Sequence, residues 1–246
     1  MTVKNAYTWH CLGKKLAPAV LALAFCASAH GGLYTYDSGT LNAAIPDNSI
    51  IGLTEAHTIS GLDPQIANVQ VTLDISGGFN GDLYGYLRLN DSPLVVLVNR
   101  VGLTSSNPDG YANSGMLVTL SASAAYDIHS YQNFSPSYNS SGQVTGTWQA
   151  DGRTDPLVNT PRGSLSYFNG LDPNGTWTLF FADRSAGDQS TLVGWSLEIT
   201  TVPEPVNVAL GIFAGVFLVV LVVRSRPVRN RVQRWRVAAA QWIDAV

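Results

Sequence analysis

An enzyme needs a nucleophile, a base and a group that orients them, and the central part of this sequence is short of the first two. Its histidines are His57 and His129, with His30 just before it, and the two cysteines, Cys11 and Cys26, lie near the N-terminus. Neither a G-x-S-x-G elbow nor an H-E-x-x-H pair occurs, so serine-hydrolase and zinc-protease chemistry are not expected. Oxygen ligands are more plentiful. Asp172 with Asn174, Asp183 with Asp188, and Asn107-Pro108-Asp109-Gly110 group carboxylate or amide oxygens in Gly-containing loops, the hard donors that calcium takes. Asp172, Asn174, Asp183 and Asp188 are therefore the candidate calcium ligands. None matches the D-x-[DN]-x-[DN]-G loop, and the same residues serve as Asx turns at strand ends. The rival reading is a hydrolytic or calcium-dependent carbohydrate-active domain using Asp151, Asp155 and Asp183, which requires two carboxylates ~5 to 9.5 Å apart.

The elements that must position these residues are strands. Between residues 34 and 201 no stretch keeps apolar residues at every third or fourth position. Short alternating or apolar runs stand instead between Gly, Asn, Asp, Pro and Ser, which is the strand-and-turn signature. The clearest runs are IANVQVTLDIS (66–76), DLYGYLRLN (82–90), PLVVLVNR (93–100), GMLVTLSA (115–122), GTWTLFFAD (175–183) and LVGWSLEITT (192–201). Ile66, Val69, Val71, Leu73 and Ile75 mark one buried face. In the last run Val193, Trp195, Leu197 and Ile199 are expected on the apolar face, with Leu192, Gly194, Ser196 and Glu198 opposite. Half-buried strands of this kind pack as two antiparallel sheets, so the fold expected is all-β, a sandwich or jelly roll, with Trp177 and Trp195 in its core. Asn80-Gly81 and Pro173-Asn174-Gly175 are turns feeding strands. Residues 122–165, rich in Ser, Asn, Gly and Tyr, are expected as a mostly looped surface excursion with one strand at QVTGTWQA (143–150).

Two flanking segments assign a compartment. Lys4, Lys14 and Lys15 lead into the apolar LAPAVLALAFCA and then Ala27-Ser28-Ala29, the pattern of a secretory signal peptide over 1–29. Both cysteines fall inside it, so the exported body would rely on burial without disulfides. Residues 30–205 hold sixteen Asp/Glu against five Arg and no Lys, a net charge of −11, which argues against a nucleic-acid partner. Residues 206–223 are almost wholly apolar and measure about 27 Å as a helix, enough to span ~30 Å of hydrocarbon. Six arginines follow from Arg224 on, placing the 227–246 tail in the cytoplasm by the positive-inside bias. Val228, Val232, Trp235 and Ala239 share one side there, so the tail can lie as a basic helix on the inner leaflet.

Three phrases carry a family resemblance: IPDNSIIGL (45–53), GGFNGDLYGYLRLNDSPLVVLVNRVG (77–102) and FNGLDPNGTWTLFFADRSAGDQSTLVGWSLEIT (168–200). Together they resemble the P domain (P/Homo B) of kexin-like and furin-like subtilases. That resemblance implies a jelly roll that is a non-catalytic accessory, sometimes calcium-binding. Val202-Pro203-Glu204-Pro205, the apolar segment, then Arg224 and Arg226 resemble the PEP-CTERM sorting signal. The resemblance implies recognition by the membrane protein exosortase in Gram-negative bacteria that make extracellular polysaccharide. The chain departs from that pattern by continuing for about twenty residues past the arginines. The expectation is a signal peptide (1–29), a P-domain-like sandwich (30–201), a sorting signal (202–226) and a basic tail (227–246). Such a protein would be a non-enzymatic surface or matrix component with exosortase, polysaccharide or envelope partners.

Overall fold

Ile66, Val69, Val71, Leu73 and Ile75 are all buried. They lie on one strand, whose successive side chains point to opposite faces. The register against the neighbouring strand slips between Thr200 and Thr201, and this bulge lets Ile66 and Val69, three apart, both face inward. The computed structural model describes residues 31–157, 164–203 and 205–224, with side chains in the last stretch described over 209–221. Residues 1–29, expected as a signal peptide, Glu204, Arg226 and the 227–246 tail lie outside the described residues.

Eleven strands follow in order: β1 (Leu33–Asp37), β2 (Ala43–Ala44), β3 (Ser49–Ile59), β4 (Ile66–Gly77), β5 (Leu83–Leu89), β6 (Val95–Asn99), β7 (Met116–Ser121), β8 (Ser137–Tyr138), β9 (Val144–Trp148), β10 (Gly175–Asp183) and β11 (Ser190–Thr201). A seven-stranded sheet runs β1-β11-β4-β7-β9-β8 with β2 added to β11, and a four-stranded sheet runs β3-β10-β5-β6. Neighbouring strands are antiparallel except β7 with β9. Val71, Leu73, Leu197 and Ile199 of the larger sheet join Leu87, Trp177, Leu179 and Phe181 of the smaller one in a single hydrophobic cluster. The body is all-β. Trp177 is fully buried; its Nε1 donates to the Pro173 carbonyl at 3.0 Å, and its ring meets Phe168 edge-on at 5.0 Å. Trp195 is buried, edge-on to Tyr36 at 5.1 Å.

Two sequence expectations need correction. A bulge between Leu192 and Gly194 shifts the phase of β11, so Leu192 is buried with Trp195, Leu197 and Ile199 while Val193 is only half-buried. Strict alternation had put Leu192 outside and Val193 inside. The second concerns residues 122–165, expected as a mostly looped surface excursion, of which 122–157 and 164–165 are described. Ile128, His129, Tyr131, Trp148, Ala150 and Asp151 are buried, and the chain at 151–152 runs beside β6, with Asp151 N–H donating to Leu97 O and Gly152 N–H to Val96 O, each at 3.0 Å. That segment covers the outer edge of the four-stranded sheet, which is why all five residues of β6 are buried.

After Thr201 the chain enters helix α1 (Pro205–Arg224), a separate unit from the β body. Leu210, Phe213, Phe217 and Leu218 are all exposed on it. Among the described residues no helix is long and apolar enough to cross a membrane.

The core assignment has a direct check. Trp177→Ala should cost ~3–5 kcal/mol, read as a lower urea midpoint with an unchanged slope; a cost within ~0.5 kcal/mol would be that of a surface position.

Candidate functional site

Strand β10 ends at Asp183 and β11 begins at Ser190, so residues 184–189 carry the chain from one sheet to the other. A one-turn 3-10 helix, Asn80–Asp82, sits beside this crossing at the start of β5. Arg184 N–H donates to the Asp82 carbonyl at 2.9 Å. The backbone at Gly78 (φ +65°) comes so close that a Cβ there would collide with Ser190 Oγ, so only glycine fits. This packing brings Asp82 and Asp183 together although they are a hundred residues apart. Asp183 is wholly buried; one oxygen accepts from Ser185 N–H at 3.2 Å and the other, Oδ2, has no partner. Ser190 Oγ is also buried without a partner. Asp47 anchors the crossing by accepting from Gly187 N–H with both oxygens at 3.0 Å.

Electrostatics here follow from burial. Desolvation pushes the Asp183 carboxyl up from 3.8 to about 6, the charges of Asp82, Asp47 and Asp188 push the same way, and the Ser185 N–H opposes them. Asp82 is raised too, chiefly by burial, against the Ser185 side-chain hydrogen bond and the Arg100 charge.

The four candidate calcium ligands do not form one site. Asp172 and Asn174 stand at the start of β10, whose nine residues put them ~25 Å from its Asp183 end at about 3.3 Å per residue. There Asp172 Oδ1 accepts from Asn174 N–H at 2.9 Å and from Asn174 Nδ2 at 2.6 Å, while the Asn174 amide binds Leu62 N–H and carbonyl at 2.9 and 3.0 Å. That is an Asx turn tying two loops together. Asn107 is likewise occupied, its Nδ2 donating to the Gly102 and Gly110 carbonyls at 2.9 Å each. Among the described residues no three His, Cys, Asp or Glu side chains form a metal cage.

Unforeseen in the sequence is a buried charged network in the 122–157 region. His129 Nδ1 lies 2.8 Å from Asp151 Oδ2, and its Nε2 is 3.2 Å from the Leu103 carbonyl. Both ring nitrogens are thus engaged by protein oxygens. Asp151 also accepts from Asn99 N–H at 3.1 Å and Arg153 Nη1 at 3.0 Å, and Arg153 Nη2 reaches Asp127 Oδ2 at 2.6 Å. A His–Asp pair invites a catalytic reading, but here the nitrogen that would take a proton from a nucleophile is committed to a backbone carbonyl. Asp155 is exposed and accepts from Leu157 N–H at 2.9 Å. No hydrogen bond links Asp151, Asp155 and Asp183 to one another; each is held by its own backbone and side-chain donors.

A second polar feature lies where edge strands β1 and β3 face each other. Their inward positions carry Tyr34, Tyr36, Glu55 and His57, all half-buried. Tyr34 Oη is 3.0 Å from His57 Nε2, and Tyr36 stacks on the His57 ring at 3.7 Å and 15°. Desolvation, and then the Glu55 charge, raise the Tyr36 hydroxyl above its ordinary value. On the outward side of the larger sheet, a depression of about 210 Å³ is lined by Asp37, Thr40, Thr72, Asp74, Trp195 and Ser196. Of the residues expected to form a sorting signal, Val202 is exposed, its N–H donating to Gln65 O at 2.8 Å, Pro203 is half-buried, and Pro205 and Arg224 begin and end α1.

Two outcomes follow from these charges. Asp151→Ala removes the buried carboxylate shared by His129, Asn99 N–H and Arg153 Nη1, with Asp127 left to Arg153, and should cost ~3–5 kcal/mol, seen as a lower unfolding midpoint. Because the folded-state value of Asp183 lies above its ordinary one, its contribution to stability is full below pH 3.8 and lost as pH rises through about 6. With divalent cations chelated, stability should fall on the order of 3 kcal/mol between pH 4 and 7, and Asp183→Asn should remove most of that slope.

No protein-family model matches the chain, and no curated protein matches it. Among solved structures it is similar to a serine protease of Aeromonas sobria crystallised with its chaperone, at 14% identity and a TM-score of 0.38, covering 70% of this chain and 26% of that one. A structure of the serine protease of Aeromonas sobria gives 16% identity, a TM-score of 0.37, and 69% and 26% coverage. This chain spans about a quarter of the length of either.

Proposed function

We propose that this is a non-enzymatic bacterial surface or matrix protein. It is exported, held at the membrane by the apolar segment 206–223, of which the structure describes side chains only over 209–221, and passed to exosortase through the signal from Val202 to Arg226. Its body, a P-domain-like jelly roll, contacts polysaccharide or envelope partners. One observation carries the reading: β11 stays in the sheet to Thr201, and by Pro205 the chain is in an apolar helix with large side chains exposed. Phe213 is 69% exposed and Phe217 63%. Side chains of this size find a favourable environment in lipid rather than in water. Val202 and Pro203 follow the last strand and Pro205 opens the helix, and a proline favours an extended backbone at the residue before it. A short extended peptide between a folded domain and an apolar helix is the kind of substrate a membrane-embedded transpeptidase or protease can grip.

The saturated His129 supports the non-enzymatic part. For the binding part, the inward β1–β3 edge groups aromatic rings with hydroxyl and carboxylate groups, which suits sugars with an apolar face and a polar rim.

Intact-mass analysis of the protein from cells and from medium is the test. A C-terminus at or beside Val202–Pro205 is expected on the released form, and replacing Pro203, Glu204 and Pro205 together by Ala should leave full-length chain in the membrane. Release that ignores this replacement would overturn the sorting assignment. Retention on isolated matrix polysaccharide is expected for the body, and no retention with or without chelator would count against the binding role.

A further inference from the structure

We propose that copies of this chain dock on one another through the two outward faces of the β body, the arginine-bearing face of the four-stranded sheet on the carboxylate-bearing face of the larger one. Cations are scarce here, since residues 30–205 hold five Arg and no Lys against sixteen Asp/Glu. Of the arginines described in that body, Arg153 is buried on Asp127 and Asp151, and Arg100 gives its donors to the Gly81 and Pro108 carbonyls. The other two, Arg88 and Arg184, stand at the ends of one strip. Arg88 shares the outward side of β5 with Tyr84 and Tyr86. Arg184 is exposed just past β10, its N–H on the Asp82 carbonyl and its charge near enough to reach the Tyr84 hydroxyl. The run from Asp82 to Arg88 is ~20 Å at about 3.3 Å per residue. Between them Tyr86 stacks on Phe180 at 4.9 Å, and no outward position of β3, β5 or β10 carries a carboxylate. Arg88 does touch Asp91 at 3.3 Å, but that carboxylate is fully exposed, and such a contact is worth little in water.

The opposite face has the opposite sign. Outward on the larger sheet, Asp74 lies across from Gly194, Asp37 lies across from Ser196, and Glu198 follows on the same side of β11, so three carboxylates fall within ~13 Å along the strands. No Arg, Lys or His occurs in β1, β4, β7, β9 or β11. The depression of about 210 Å³ between Asp37 and Asp74 is a hollow that an arginine side chain can enter, and Thr40, Thr72 and Ser196 also line it. Their hydroxyls can accept the guanidinium donors that the carboxylates leave over. Either face set against itself brings like charges together. The contact is therefore head-to-tail, and a head-to-tail contact that does not close on itself extends into a row of copies. Each body carries a net −11, so general repulsion opposes the contact and keeps it weak. A row forms only where copies are concentrated. The inference is independent of the sorting and glycan-binding readings.

The test mixes full-length chain carrying one affinity tag with full-length chain carrying another, both in detergent, and measures co-capture from about 1 μM to 1 mM, the span of weak association. Capture that rises with concentration is expected for the parent. Arg88→Glu with Arg184→Glu turns the arginine face acidic, and Asp37→Arg with Glu198→Arg turns the carboxylate face basic. Each variant should capture its own kind at least about tenfold less than the parent does. Mixed together, the two should recover parent-like capture, because each acidic face then meets a basic one. Asp37 also accepts from Gly39 N–H at 2.7 Å; where its replacement lowers the melting temperature, Arg184→Glu mixed with Glu198→Arg is the pair to use. Association through the apolar helix would leave capture unchanged in every variant, and that result would overturn the proposal. So would no capture of the parent at ~1 mM, or loss in both variants without recovery in the mixture.

Discussion

Two sheets hiding one face each in a common core is the constraint on which the β body depends. The cysteines lie at positions 11 and 26, so within residues 31–203 no disulfide can take the place of burial. Every crossing between sheets must therefore pass over an end of the core, and those ends are where backbone and polar side chains crowd together. The nearness of Asp82 and Asp183 arises at one such end. It results from β10 pairing with β5 in a register that puts Asp183 opposite Leu83, so the acid that closes one strand sits beside the acid that opens the other.

The strands were legible because their signal is local. Alternation at 66–76, 83–89, 116–121 and 175–183 is fixed by side chains two residues apart, and a sheet with one buried face cannot slip register without exposing them. Bulges were not legible. At Val193 an extra residue inverts the phase of β11, and the cause lies in packing, where Gly194 comes so close to the Gly39 carbonyl that a Cβ would stand 2.7 Å from it. The short edge strand β1 is likewise stabilised by its partner β11 more than by its own composition.

The candidate site was legible in half. Asp183 and Asp188 are acids in a Gly-containing loop, which sequence can show. Asp82 looks like any turn residue until β5 and β10 are paired, and nothing in the spelling of Ser190 marks its hydroxyl as unpartnered. The 122–157 region misled for a different reason. Its low apolar content fits a loop in water, but Asp127, His129, Asp151 and Arg153 satisfy one another, so polar residues could be buried where composition alone places them outside. A network of this kind contributes little net stability compared with an apolar core, yet its members cannot be removed singly without cost.

Sheets that are not closed barrels keep open edges, and neighbouring molecules can pair with them strand to strand. In the four-stranded sheet one edge is covered by the chain at 151–152 along β6. The other is β3, whose inward positions carry Glu55 and His57 where an apolar strand would carry aliphatic residues. Extending the sandwich there by another molecule's apolar strand would set its inner face against a carboxylate and an imidazole, a mismatch that discourages edge-to-edge growth. The same residues that give this side of the body its polar cleft thus also keep crowded copies from zipping into continuous sheets.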